Sequence, residues 1–391
     1  ADYQEQVKKS YNLIIRGEKK VPYKTIDLCA GIGGIRKGFE MTGEFVNVLS
    51  SEIDKYACQT YMHLYGENPE NDLTSEEFKE LVENTEYDVL FAGFPCQSFS
   101  RQGNELGFED EKRGVIFSHI AEIIRRTEPK AVFLENVDNL VRHDRGNTFH
   151  TIIGILEKSL DYKVIGVRRS TDGILVYDGR DFVRNSRYFG IPQNRPRTYI
   201  MAFSREHYGG AVDYLPDILP VENHLVIYRD LRELLELGAD PKYYLASGYF
   251  DTLIRHRERN HRNGNGFGYK VVNAETIPYP VANTILATGG SGKERNLVYD
   301  PQVDIPGMIY PTKTTPLNDS CVRFMTPREW GKLQGFIGYA FVEDGEDYFS
   351  FPKGISEAQQ YKQFGNSVTI PVIRTMAEFM LRCFKIIEKN I

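Results

Sequence analysis

Two reactive side chains each stand just beyond an apolar run. Cys96 follows Val89-Leu90-Phe91-Ala92-Gly93-Phe94-Pro95, and Glu135 follows Ala131-Val132-Phe133-Leu134. A thiol is a nucleophile in its thiolate form, and a carboxyl can carry a proton to or from a reacting atom. Further on, Arg195 and Arg197 alternate within Gln193-Asn194-Arg195-Pro196-Arg197, so in an extended segment they share a face. Two guanidiniums aimed together suit an anionic or carbonyl-rich ligand. Each signal also has a plainer reading: a lone cysteine is commonly an inert buried hydrophobe, and neighbouring arginines are commonly just solvated. The company each residue keeps decides between the two.

Periodicity indicates the elements that must position these groups. The runs at 87–94 and 131–134 read as buried strands, so Cys96 and Glu135 terminate successive strands on one sheet edge, where open α/β sheets bind ligands. Ahead of them, 23–29 reads as a first strand, and Ala30-Gly31-Ile32-Gly33-Gly34 turns into a helix carrying Ile35, Gly38 and Phe39. Glycines there let the backbone approach a ligand at the positive end of a helix; alone, the cluster is equally a tight turn. A strand at 45–51 ends in Glu52, about twenty residues past the turn, where nucleotide-binding sheets set an acid on ribose hydroxyls. Asp72, within Asn71-Asp72-Leu73-Thr74, is either a further acid of this site or a helix cap. Helices are expected at 113–126 and 148–160, strands at 163–167 and 198–203, and polar irregular chain at 168–186.

Past Ser204 the alternation gives way to Pro-, Gly- and Asn-rich chain, read as a second, irregular domain. It holds the most basic stretch, Arg255-His256-Arg257-Glu258-Arg259-Asn260-His261-Arg262-Asn263-Gly264-Asn265-Gly266-Phe267-Gly268-Tyr269-Lys270, and a Gly-rich loop, Thr288-Gly289-Gly290-Ser291-Gly292-Lys293-Glu294-Arg295. Arginine, amide and aromatic groups with glycines are the means of phosphate contact and base-edge readout; a basic surface helix with a turn is the plainer alternative. Gly365-Asn366-Ser367-Val368 then leads into an apolar helix from 369 to about 387, expected to pack back on the first domain. Residues 1–20 read as an amphipathic helix or a disordered lead.

With 391 residues, 41% of them hydrophobic, the chain can bury one large core and a smaller second one. No run approaches the roughly eighteen apolar residues of a membrane span, and no secretory signal is seen, so a soluble cytoplasmic protein is expected. The five cysteines, Cys29, Cys58, Cys96, Cys321 and Cys383, are odd in number and form no CxxC, which argues against a disulfide framework and any metal site. A net charge of −6 argues against a uniformly basic nucleic-acid binder but leaves room for a basic cleft on an acidic body.

Taken in order from about residue 23 to the C-terminus, these segments resemble the C5-cytosine DNA methyltransferases of prokaryotic modification systems. The resemblance rests on residues 27–34, Gly-Phe-Pro-Cys-Gln at 93–97, Glu135-Asn136-Val137, Gln-x-Arg-x-Arg at 193–197, residues 323–336 with Thr326-Pro327-Arg328-Glu329, and Gly-Asn-Ser-Val at 365–368. It implies an α/β fold: an S-adenosylmethionine-dependent, Rossmann-like sheet with helices on both faces, plus a smaller irregular, mostly β target-recognition domain. The implied limits are 1–22 for an extension, 23–206 for the catalytic and cofactor-binding domain, 207–355 for target recognition, and 356–391 for a returning segment. S-adenosyl-L-methionine, leaving as S-adenosyl-L-homocysteine, would be held by Asp27, Cys29, Ala30, Gly31, Ile32, Gly33, Gly34, Glu52, Ile53, Asp72, Leu73, Gly93, Pro95, Ile116, Asn366, Ser367 and Val368. Three departures stand out: Cys29 where the family often has Phe, Ile337 for a frequent Pro, and an insertion-like 168–186.

The implied reaction is methyl transfer to carbon 5 of a cytosine turned out of duplex DNA. Cys96, with Gln97 beside it, would add to carbon 6; Glu135 would protonate N3; Arg195 would orient the base carbonyl, and Arg197 would support the nearby carboxylate or phosphate. DNA contacts are expected from Ser98 and Ser100 and, in the second domain lying across a DNA-filled cleft, from Arg255, Arg257, Arg259, Arg262, Asn263, Asn265, Phe267, Tyr269, Lys270, Ser291, Lys293 and Arg295. The recognition region is similar to those of CCGG and CC(A/T)GG methylases. The expected partner is double-stranded DNA, with the protein a monomer and a cognate restriction endonuclease acting on the same site. A tRNA methyltransferase of the same fold, a non-catalytic DNA-binding relative and an NAD-linked oxidoreductase are the alternatives; the last would have no use for a prolyl-cysteine loop.

Overall fold

The computed structural model describes residues 21–95, 116–264, 268–287 and 292–391. They form two compact units: the chain up to Arg184 with Pro196–Asn223 and Val372–Ile391, and Asn185–Arg195 with His224–Pro371.

The first unit is built on a seven-stranded sheet in which β1 (Tyr23–Leu28), β2 (Phe45–Ser51), β3 (Val89–Gly93), β4 (Ala131–Val137), β5 (Tyr162–Val164) and β6 (Pro196–Ser204) run in the order β2-β1-β3-β4-β6-β5, with the short strand Val183–Asn185 pairing with β6 off this path. β1 to β4 run parallel and β6 lies antiparallel to both β4 and β5. Val89, Leu90, Phe91 and Ala92 of β3 are all fully buried, which is why that strand reads as a continuous apolar run rather than an alternating one. The connecting helices are α1 (Gly34–Glu40), α2 (Lys55–Tyr65), α3 (Glu76–Glu83), α4 (Ile116–Thr127) and α5 (Asn147–Gly154). On one face Phe39 of α1 packs its ring 4.1 Å from that of Phe91 and 5.3 Å from that of Phe133. On the other, Leu28, Leu90, Val132 and Leu134 share a core with Ile120 and Ile124 of α4 and Ile152 of α5. Helices thus cover both faces. Gly38 is where the chain needs a glycine: a Cβ there would stand 2.5 Å from Ile373.

The segment 168–186 is more ordered than its polarity suggests. Arg168–Arg169 pairs with Leu175–Val176 as a hairpin, and the turn Gly179–Phe182 buries Phe182 edge-on against Phe149 at 4.9 Å. One aromatic anchor is enough to fix an otherwise exposed excursion.

The second unit is irregular, with strands of two or three residues. Gln193–Asn194 pairs with Ala282–Asn283, and β7 (Leu297–Tyr299) runs antiparallel to β8 (Val322–Phe324). Its longest regular element is instead α6 (Ser247–Arg262), accompanied by α7 (Pro327–Leu333) and α8 (Glu357–Asn366). The Thr326 side chain and Glu329 close a capping box at the start of α7. Fully buried Arg323 of β8 joins Asp300 at 2.7 Å and Glu329 at 2.8 Å, tying strand to helix. Residues 356–371 fall within this unit and 372–391 within the first. Among the described residues no helix is long and apolar enough to cross a membrane, and no acidic, His or Cys cluster could hold a metal ion.

Candidate active site

Parallel pairing sets Gly93, the last residue of β3, directly opposite Glu135 of β4. The absent side chain at Gly93 leaves room there, since a Cβ would lie 3.5 Å from a Glu135 carboxylate oxygen. β6 pairs across β4 with Tyr199 opposite Glu135 and Arg197 opposite Val137, which makes Arg197 the diagonal neighbour of Glu135. Arg197 Nε lies 3.5 Å from Glu135 Oε1, and each side chain is only 12% exposed. A carboxylate and a guanidinium are therefore held together at the rim, ready to face one polar ligand from two sides.

Asn136, next in β4, turns to the other purpose. Its buried side-chain amide donates to the Phe94 carbonyl at 2.8 Å, fixing the chain that runs through Pro95 toward the thiol. Cys96, Gln97, Ser98 and Ser100 lie outside the described residues.

Around the glycine turn, Glu52 at the end of β2 accepts from Gly31 N at 2.7 Å with one oxygen and from the Ile53 and Asp54 amides, both at 2.8 Å, with the other. From beneath, Tyr65 donates to the Gly33 carbonyl at 2.9 Å, and its ring fills the place a Gly33 side chain would need. Gly33 itself adopts φ 79°, the left-handed region that glycine enters without strain. Tyr65 is in turn backed by Arg36, whose guanidinium carbon sits 4.4 Å from its ring centre. Arg36, with no exposed surface, bonds Glu67 at 2.7 and 3.0 Å, Glu40 at 3.0 Å and Tyr61 at 2.8 Å. The turn is clamped between a carboxylate and a phenol.

Asp27, at 1% exposure, is the outlier of this region. Neither of its carboxylate oxygens has a hydrogen-bond partner among the described residues. Burial, aided by Glu52 and Glu40, pushes its carboxyl up to about 7 against the pull of Arg36. Burial likewise pushes the Cys29 thiol up to about 12, with Glu52 and Asp27 adding to it. Asp72 accepts from the Thr74 amide at 2.9 Å and is exposed, while Ser75 caps α3. The helix-cap reading of Asp72 is thus replaced by an Asx turn, and Leu73 beside it is buried. Ile53 is 76% exposed at the same rim, and Ile116 opens α4. An orphaned buried carboxylate, open space above Gly31 at φ +56° and an acid anchored at Glu52 fit a ligand bearing a cation and hydroxyls, as the sulfonium donor does.

The second unit holds the remaining groups. Arg195 does not share a face with Arg197, because strand pairing breaks between them: Gln193–Asn194 pairs with Ala282–Asn283, whereas β6 begins only at Pro196. Instead the Arg195 guanidinium is spent on main-chain carbonyls, Ile285 at 2.8 Å, Gly365 at 3.0 Å and Ser367 at 2.7 Å. The carbonyls Arg195 meets here are the chain's own. Gln193 and Gln334 join the same hub, with Gln334 Nε2 donating to Phe364 and Ser367 carbonyls, so the turn carrying Asn366, Ser367 and Val368 is held from below. Asn366 is exposed and Val368 buried.

Of the candidate DNA contacts, Arg255, Arg257, Arg259, Arg262 and Asn263 are exposed along the end of α6, and Lys270 and Arg295 are exposed nearby. The Arg257 guanidinium stacks 4.5 Å from the Tyr269 ring centre. Lys293 lies on aromatic rings, its ammonium 4.0 Å from the Tyr361 ring centre and 5.9 Å from that of Phe324. Asn265, Phe267 and Ser291 lie outside the described residues. Asn136, Tyr65 and Gln334 are the supporting residues that composition and spacing did not single out; only the placement of Asn136 directly after Glu135 hinted at any of them.

Residues 23–382 match the family model described as C-5 cytosine-specific DNA methylase. The chain is 40% identical over 371 residues to Type II methyltransferase M.HpaII of Haemophilus parainfluenzae, covering 93% of this chain and 89% of that one. It is 37% identical over 373 residues to Type II methyltransferase M1.ScrFI of Lactococcus lactis subsp. cremoris, covering 95% and 80%. Among solved structures it is similar to the Entamoeba histolytica methyltransferase EhMeth, with a TM-score of 0.60 at 18% identity over 93% of this chain and 99% of that one. That last likeness speaks to the fold.

Proposed function

The chain belongs to the C-5 cytosine-specific DNA methylase family, and from that premise we propose that it methylates carbon 5 of cytosine at a specific sequence in duplex DNA, as the modification half of a restriction-modification system. What carries the reading is the Glu135–Arg197 pair at 3.5 Å on the rim of β4 and β6, beside the strand that delivers Pro95 and Cys96.

Carbon 5 of cytosine is a poor nucleophile until electrons are pushed into the ring. Cys96, as thiolate, adds to carbon 6 and does so. Glu135 gives a proton to N3, where the ring's charge would otherwise build up. Arg197, rather than Arg195, holds the base carbonyl and keeps Glu135 in place; a positioned cation at developing negative charge is worth about 100-fold or more in rate. Asn136 holds the Phe94 carbonyl at the end of the strand that precedes Cys96 in the chain.

S-adenosyl-L-methionine supplies the electrophilic methyl group on a sulfonium. Asp27, the 29–34 turn, Glu52, Ile53, Asp72, Leu73, Gly93, Pro95 and Ile116 would hold it, together with the turn at 366–368. The target base is unreachable within a stacked duplex, so it is turned out into the site. Phosphate contact and base reading fall to the second unit, in the region 255–300.

A duplex with 5-fluorocytosine at the target, incubated with donor, tests this: the fluorine blocks loss of the carbon 5 substituent and leaves protein joined to DNA. The parent is expected to form the adduct through Cys96 and Cys96→Ser to form none. No adduct in the parent with donor present would overturn the reading.

A further inference from the structure

Helix α6 divides into two faces with different fates. Phe250, Leu253 and Ile254 join the small core of Leu245, Leu297 and Val322, with Tyr269 alongside. Arg257, seven residues past Phe250, continues the same stripe and lies on Tyr269. At about 100° per residue, Arg255, Arg259 and Arg262 fall on the opposite side, at i, i+4 and i+7. All three are exposed and form no ion pair among the described residues; Arg255 donates to Thr252 Oγ1 at 3.3 Å on its own helix. From 255 to 264 no residue of the helix end is buried. The side of this helix end that carries Arg255, Arg259 and Arg262 packs against no core, so its basic composition answers to something outside the chain. Basic groups in the last turn do offset the helix's carbonyl end, but Arg255 stands too far back for that.

Resting on the functional reading above, we infer that Arg255, Arg259 and Arg262 form a stripe that follows the phosphates of one DNA strand and adds affinity without reading sequence. The stripe is about 10.5 Å long at 1.5 Å of rise per residue, about three phosphate-to-phosphate steps at about 3.4 Å of axis each, so three arginines can meet phosphates within a run of four. Guanidinium forks match phosphate oxygens in pairs. Arg257 is excluded from the stripe by its seat on Tyr269, which leaves it for a different contact.

The test is duplex binding across a salt series by the full chain, with cognate and unrelated DNA, for the parent and for Arg255→Ala, Arg259→Ala and Arg262→Ala combined. Alanine favours helix, so the fold is kept, which circular dichroism checks. Three lost phosphate contacts should lower the slope of log K against log salt by about 2.7, and weaken both duplexes alike, by roughly 100-fold at low salt. The methylated sequence should stay the same. A triple Arg→Lys variant should restore the slope. An unchanged slope in a variant whose parent binds DNA overturns the stripe alone; so does a loss confined to cognate DNA, which would make these residues readers of bases. A parent that binds no duplex sinks the functional reading and the stripe together.

Discussion

Asp27 is a carboxylate placed where its charge is unwelcome. The folded chain raises its carboxyl from 3.8 to about 7, so it binds a proton more tightly folded than unfolded. Its contribution to stability is therefore whole below about pH 3.8 and is lost as pH climbs to and past 7. Asp27→Asn removes that dependence. Measured by denaturant midpoint, the variant should gain on the parent between pH 5 and pH 8 by on the order of a few kcal/mol. A gap that does not change with pH would mean the carboxyl is already ionised in the folded protein. If Asp27 meets the sulfonium donor as proposed, the bound cation would offset this cost, and donor should flatten the pH dependence.

At the scale of elements, the two arginines of one motif part ways because a strand ends between them. Arg197 sits in β6 beside Glu135, while Arg195 is buried among three carbonyls. Arg197→Ala should lower single-turnover methyl transfer about 100-fold with donor binding within severalfold of the parent. Arg195→Ala should instead cost about 3 kcal/mol or more of thermal stability, by leaving buried carbonyls unpaired. The reverse pattern would return Arg195 to the chemistry. Alternation along 193–197 suggested a shared face because it assumed one continuous strand; Pro196, which cannot donate to a ladder, was the available sign that pairing changes there. Strands β3 and β4 were legible because strands buried on both faces are written as apolar runs. The basic stretch at 255–262 reads from composition either as phosphate and base contact or as a basic surface helix with a turn; it is helical, and the 4-then-3 spacing of Arg255, Arg259 and Arg262 already carried that period. The roles of Asn136 and Tyr65 were illegible, since each bonds a main-chain carbonyl and a carbonyl has no letter in the sequence.

For the molecule as a whole, a net charge of −6 and a DNA substrate are reconciled by concentrating basic groups on one helix end of the second unit. If reading resides there, grafting residues 245–300 into a relative of different specificity should carry the recognition sequence with it, as mapping of methylated positions would reveal; unmoved positions would place the reading elsewhere. The first unit is threaded from separate pieces, and its last piece, 372–391, buries Ile373, Met376, Met380 and Phe384, with Phe384 stacked 4.4 Å from Tyr23 of its first strand. During synthesis the ribosome therefore releases every residue of the second unit before this strip appears, and the sheet waits with an apolar seam uncovered. Every proposed catalytic group is therefore made before the strip that closes the core beneath it, so a chain lacking residues 372–391 would carry the chemistry without a closed core to hold it.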